Sequence, residues 1–186
     1  MTPLPTQALI YAIRAHDSIG QRRKYTDEPY VVHPIRVATL VAAETDNADI
    51  LSAALLHDVL EDVTPKNPRF DTDSIRVTFG ETVLRLVEEL TDVFTTEAFP
   101  QVNRQERKKR EAYRLSGISP EAQLVKLADL IDNGGTIVTE AAPGFARTYL
   151  AEKEVILNLM PQYPQNQTLR THAETILKEG LKTLNS

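Results

Sequence analysis

The chain has 186 residues, 41% of them apolar and 25% charged, a balance that suits one soluble globular domain spanning 1–186 with a core of useful size. It contains no cysteine, which excludes disulfides and thiolate metal sites, so any bound metal must be held by nitrogen and oxygen. A net charge of −5 argues against nucleic acid as a partner. With no signal-peptide pattern at the N-terminus and no apolar run near the ~20 residues of a membrane span, a cytoplasmic protein is expected.

Apolar positions at helical spacing predict a helix over 6–17, followed by a polar, basic turn from Gly20 to Pro29. In Tyr30-Val-Val-His33-Pro34, the proline fits the first position of a helix over 34–44, with His33 just before it. A further helix is predicted over 48–61, with Asp49 placed early to favour its dipole. Residues 64–69 read as a loop, and short helices over 72–79 and 81–91 are separated by Gly80. Residues 92–102 look irregular. Helices over 103–115, 119–139, 145–160 and 166–183 complete the chain, with a break at Pro143-Gly144. No segment alternates in the manner of a strand, so the expected fold is an all-α bundle of eight or nine helices.

The run Ala53-Ala-Leu-Leu-His57-Asp58-Val-Leu-Glu61-Asp62 carries the chemistry. Burying a histidine and three carboxylates in an apolar helix costs several kcal/mol each unless a cation compensates. Four-residue spacing puts His57 with Glu61 and Asp58 with Asp62 on adjacent stripes, so His57 and Asp58 reach one ion while the other two acids stand beside it. A second element, Leu124-Val-Lys-Leu-Ala-Asp129-Leu-Ile-Asp132-Asn133, breaks a core stripe with an acid, and Asn133 shares the face of Asp129. His33 occupies a rigid helix start, a place as suited to a cap as to a ligand. His16-Asp17 is a second histidine–aspartate pair without carboxylates one turn on, and it is assigned a structural or peripheral role. His172 is expected at the surface, and the basic run of Arg104, Arg107, Lys108, Lys109 and Arg110 reads as a solvated helix face.

Taken together, Gln21-Arg22-Arg23-Lys24, Pro29-Tyr30-Val-Val-His33-Pro34, the 53–62 run and Val125-Lys-Leu-Ala-Asp129-Leu-Ile-Asp-Asn133 resemble the hydrolase domain of RelA/SpoT-type alarmone metabolism, within the HD superfamily of metal-dependent phosphohydrolases. The resemblance covers about residues 6–160 and implies a small stand-alone alarmone hydrolase of the HD-type helical fold. It implies His33, His57, Asp58 and Asp129 as metal ligands, with Mn²⁺ as the cofactor. Glu61 and Asp62 fall on the family's catalytic acid pair, which orients or activates the attacking water. Arg23 and Lys24 would lie beside the substrate, Asn133 and Thr136 would contact the nucleotide sugar or base, and Lys108 and Tyr149 align with phosphate and base contacts. Gly134-Gly135 stand where many relatives carry bulkier or basic residues.

The implied reaction releases pyrophosphate from the 3′ position of a guanosine alarmone, (p)ppGpp, and leaves GDP or GTP. The residues alone leave open other HD-type nucleotide hydrolases, acting on deoxynucleotides, NADPH or adenine alarmones, and a non-catalytic nucleotide-binding domain. They also leave open the oligomeric state.

Overall fold

The computed structural model describes residues 2–185, which form nine α-helices and no strand, apart from an isolated antiparallel bridge between Arg22 and Pro29. The helices are α1 (Leu4–Ser18), α2 (Val32–Ala42), α3 (Ala48–Leu56), α4 (Thr72–Phe79), α5 (Glu81–Leu90), α6 (Arg104–Leu115), α7 (Pro120–Glu140), α8 (Pro143–Leu159) and α9 (Gln167–Leu184). Short polar side chains set many of the starts by accepting the free N–H groups of a first turn. Asn47 accepts from Asp49 and Ile50, Asp71 from Ser74, Asn103 from Glu106 and Ser119 from Ala122. Pro120 and Pro143 each stand at a first helical position, so Pro143 begins α8 instead of breaking the chain before it.

α3 and α7 are the buried axis of the bundle. Every residue of α7 from Ala122 to Ile131 is buried, as is every residue of α3 from Ser52 to Leu56. α1 and α2 pack on α3, α2 and α9 pack on α7, α8 lies between α6 and α9, and one continuous core joins Ala8 in α1 to Leu177 in α9. Gly134 belongs to this packing: a Cβ there would come within 3.0 Å of Ile176 Cγ2 on α9, so the small residue lets the two helices approach. α2 starts at Val32, which puts His33 and Pro34 inside its first turn.

One predicted element is corrected. The helix expected over 48–61 stops at Leu56; His57 is its cap, and Val59–Val63 form a five-residue π-turn closed by Thr64 N–H donating to the Val59 carbonyl at 3.0 Å. The Thr64 hydroxyl pins the wider turn by donating to the Phe70 carbonyl at 2.6 Å, while Val59 and Val63 are anchored in the core. Asp62 N–H still bonds the Asp58 carbonyl at 2.9 Å, so the four-residue spacing of that pair is kept, and the wider turn begins at Val59.

Candidate metal centre and acid pair

Where α2, α3 and α7 meet, two imidazoles and two carboxylates converge. His33 Nε2 lies 3.2 Å from Asp129 Oδ1 and 3.5 Å from Asp58 Oδ2; His57 Nε2 lies 3.2 Å from Asp58 Oδ1 and 3.9 Å from Asp129 Oδ1. His33 and His57 are buried, and neither Nε2 has a hydrogen-bond partner. His33, His57 and Asp58 offer ligand atoms that all lie within 4.8 Å of one another. Buried polar atoms rarely go unpaired in proteins. Two orphaned imidazole nitrogens facing two carboxylates are a donor set that fits a divalent cation accepting nitrogen and oxygen ligands.

Each of these groups is held from behind. His57 Nδ1 is fixed by the Ala54 carbonyl at 2.8 Å and His33 Nδ1 by Asp132 Oδ2 at 2.7 Å, contacts that place the Nδ1 proton and point both Nε2 atoms inward. Tyr30 donates to Asp58 Oδ2 at 2.8 Å, and Lys126 Nζ donates to Asp129 Oδ2 at 2.9 Å. Burial works against charge on Asp129, but Lys126 and then His33 outweigh it and hold the carboxyl well below its usual range. Burial likewise opposes charge on Asp58, which His57 and His33 keep ionised. On His33 burial disfavours the cation, yet Asp129, Asp132 and Asp58 together raise the imidazole to about 9. The pocket is rich in negative charge, as a cation site must be.

The acid pair stands beside this centre on the π-turn. Glu61 Oε2 accepts the Asp92 N–H at 3.0 Å, and Asp62 Oδ2 accepts the Gln21 side-chain amide at 2.7 Å. Glu61 opens to solvent on one side and is walled by protein on the others. This loss of water, followed by repulsion from Asp92 and Asp58, pushes its carboxyl up to about 7. Asp62 is also raised, by burial and then by Asp58. Both acids line a cleft of about 650 Å³ whose far wall includes Lys66, Arg107 and Lys108.

The residues assigned to the substrate separate into two groups. Arg23, Asn133 and Thr136 come together: the buried guanidinium donates to Asn133 Oδ1, Asp132 Oδ2 and Thr136 Oγ1, each at 3.1 Å, tying the 21–24 segment to α7. Asn133 in turn donates to Asp129 Oδ1 at 2.5 Å. Arg23 and Asn133 therefore brace the metal centre in this conformation. Lys24, Lys108 and Tyr149 stand outside this network, and of the three only Lys108 lines the cleft. Lys24 is exposed, its ammonium 5.3 Å above the Tyr25 ring and 5.5 Å above the Phe145 ring. Lys108 Nζ reaches Asp92 Oδ2 at 3.0 Å, and Tyr149 lies under Lys153 Nζ at 4.8 Å. The basic run of α6 is thus divided, with Arg107 and Lys108 on the cleft and Lys109 and Arg110 in solvent. His172 is exposed, as expected.

Sequence reasoning missed four supporting residues. Asp132, one turn from Asp129, orients His33, and Lys126 holds Asp129. Gln21 holds Asp62. His16 is not peripheral: it is 1% exposed, and its Nδ1 meets Gln21 Oε1 at 2.7 Å. The preceding signal for Lys126 was its place in an unbroken apolar run; the others had none.

Comparison with known proteins agrees with this geometry. The HD domain family matches residues 8–151. A guanosine-3′,5′-bis(diphosphate) 3′-pyrophosphohydrolase MESH1 from Mus musculus is 43% identical over 124 residues, covering 64% of this chain and 62% of the relative, so the match spans under two thirds of that protein's length. The Drosophila melanogaster protein of the same name is 34% identical over 161 residues, covering 82% of this chain and 83% of the relative. A solved structure described as a metazoan ortholog of SpoT that hydrolyzes ppGpp superposes with a TM-score of 0.81 at 28% identity, covering 97% of this chain and 98% of that one. With its all-helical fold and its histidine–aspartate centre, this chain belongs to the HD domain family.

Proposed function

We propose that this protein is a metal-dependent hydrolase that removes the 3′-pyrophosphate from guanosine 3′,5′-bis(diphosphate)-type nucleotides, leaving GDP or GTP, and that the whole chain is one catalytic domain. The single observation that carries the reading is the convergence of two partnerless, buried imidazole nitrogens on Asp58 and Asp129, immediately beside an acid pair that opens into a cleft. The names and activities of the mouse and fly relatives and of the SpoT ortholog support the substrate class.

His33, His57, Asp58 and Asp129 are the residues we assign to the metal, and Mn²⁺ is the ion we assign to them, given a mixed nitrogen and carboxylate donor set without sulfur. When bound, such a cation polarises a phosphoryl oxygen and lowers the pKa of water. The remaining work falls to the chain's own side chains. Glu61, with a carboxyl near 7, accepts the proton of the attacking water. Asp62, held by Gln21, aligns that water with the phosphorus bonded to the ribose 3′ oxygen. The new P–O bond forms as the bond to the ribose 3′ oxygen breaks; that oxygen takes up a proton from solvent, and pyrophosphate and the 3′-hydroxyl nucleotide are released. Lys108 on the cleft wall and the exposed Lys24 offset the substrate's several negative charges in an otherwise acidic protein.

The test is incubation of the purified chain and Mn²⁺ with guanosine tetraphosphate, an EDTA control, and product identification. The expected result is equimolar GDP and pyrophosphate, abolished by EDTA. Orthophosphate as product, or faster turnover of a deoxynucleoside monophosphate or NADPH, would overturn the substrate assignment.

A further inference from the structure

His16 is the one fully buried imidazole that the metal centre does not use, and its surroundings explain why it is there. Gly20, with φ of +60°, reverses the chain after α1 so that Gln21 N–H bonds back to the His16 carbonyl at 3.0 Å. The two side chains are thereby set side by side, with His16 Nδ1 at 2.7 Å from Gln21 Oε1 and Gln21 Nε2 at 2.7 Å from Asp62 Oδ2. The imidazole also lies against the Tyr30 ring at 4.8 Å, and the Tyr30 hydroxyl bonds Asp58.

Only one arrangement of protons satisfies this chain of bonds. An ionised Asp62 can only accept, so Gln21 must turn its NH₂ toward it and its carbonyl toward His16. A carbonyl can only accept, so His16 must donate from Nδ1. Burial lowers the His16 pKa and keeps the ring neutral, which leaves Nε2 bare; that atom is buried and has no partner. The tautomer that leaves Nε2 orphaned is the one that fixes the Gln21 amide. Had His16 accepted at Nδ1, Gln21 would present its carbonyl oxygen to the Asp62 carboxylate and repel it.

We propose that His16 is a positioning residue for catalysis: through its Nδ1–H it locks the Gln21 amide, which holds Asp62 in the orientation needed beside the reacting phosphorus. The proposal rests on the hydrolase reading above. It complements the opposite anchor, where the Asp92 backbone holds Glu61, so the pair is clamped from the α1 corner on one side and from the 92 loop on the other.

Two measurements test it. In the diamagnetic, Mg²⁺-loaded wild-type chain, imidazole ¹⁵N shifts report the His16 tautomer: Nδ1–H is expected, and an Nε2–H tautomer overturns the proposal whatever the protein hydrolyses. Steady-state pyrophosphate release is then compared for H16A, H16L, H16N and Q21A, with bound metal and melting temperature recorded for each. H16A, H16L and Q21A should lose roughly 10- to 100-fold in kcat, with KM within about twofold and one metal retained. H16N, whose amide N–H replaces the imidazole donor, should recover kcat to within about fivefold of wild type, although H16L fills the apolar volume better. If H16L matched H16N in kcat, or Q21A matched wild type, His16 would be only a packing residue. A wild-type chain inactive on guanosine tetraphosphate would defeat the hydrolase reading instead, and the tautomer would still decide this one.

Discussion

The histidine–aspartate corner proposed to hold the metal and the lysines proposed to meet the substrate are built in opposite ways. At the corner, every proposed ligand is short, buried or half-buried, and gripped from behind: His33 by Asp132, His57 by the Ala54 carbonyl, Asp58 by Tyr30, Asp129 by Lys126. The proposed substrate side consists of long side chains, Lys24, Lys108 and Lys153, resting on aromatic rings or on a single carboxylate. Burial and then the nearby Lys126 lower the Lys153 ammonium to about 8. On the proposed reading, a corner that must hold a cation in one geometry is preorganised on three helices, whereas side chains that would meet a flexible polyphosphate are left adaptable. Damage to the corner should therefore strike kcat and metal, and damage to the substrate side should strike KM.

The largest effect is expected from His57→Ala or Asp58→Ala. Either substitution should reduce turnover to background and bound metal well below one ion per chain, as read by metal analysis and pyrophosphate release. Full turnover with stoichiometric metal in Asp58→Ala would break the comparison at its root.

Next comes Glu61→Gln, which should keep the metal and lose about 10²- to 10⁴-fold in kcat, the range for removing a general base. Glu61 also gives the account a pH signature. Its carboxyl must be ionised to accept a proton, so wild-type kcat should fall on the acid side, and the variant should lack that limb. The stability effect has the opposite sign. Folding raises this pKa, so the folded state holds the extra proton between the ordinary carboxyl range and about 7, and the wild type loses stability as pH climbs through that window. Glu61→Gln should remove the loss, and its melting temperature should exceed that of wild type at pH 8 but not at pH 4.

Asp132→Asn sharpens the claim that the corner is held from behind. It touches no proposed cation position, yet it should weaken metal binding about 10- to 100-fold by calorimetric titration, because His33 loses its orienting carboxylate. The smallest effect is expected on the proposed substrate side, where Lys24→Ala or Lys108→Ala should raise KM about three- to tenfold with kcat within about twofold, in line with exposed cation contacts. A kcat defect there as large as that of Asp132→Asn would erase the distinction between the two regions.

Much of this division was legible in the sequence, for a physical reason. A histidine and three acids inside Ala53–Asp62, and Asp129 inside a leucine stripe, stand out because burial makes charge expensive, and helix limits at Asn47, Asn103, Ser119 and Pro120 are written by local capping chemistry. The π-turn at Val59–Val63 was not legible, since over five residues a wider turn and an α-turn share nearly the same apolar spacing. Nor were the supporting bonds. Gln21 meets Asp62 across 41 positions and Arg23 meets Asn133 across 110, distances over which only the packed helices bring the groups together. His16 was set aside because no carboxylates follow one turn after His16-Asp17; its partner arrives through the reversal at Gly20.

The central claim is that one divalent cation is shared by His33, His57, Asp58 and Asp129. An anomalous difference map from crystals grown with Mn²⁺ tests it most directly. The account predicts a single peak at about 2.2 Å from both Nε2 atoms and from one oxygen of each aspartate. A map with no peak there, or with the manganese bound elsewhere while the two imidazoles turn apart, would contradict it.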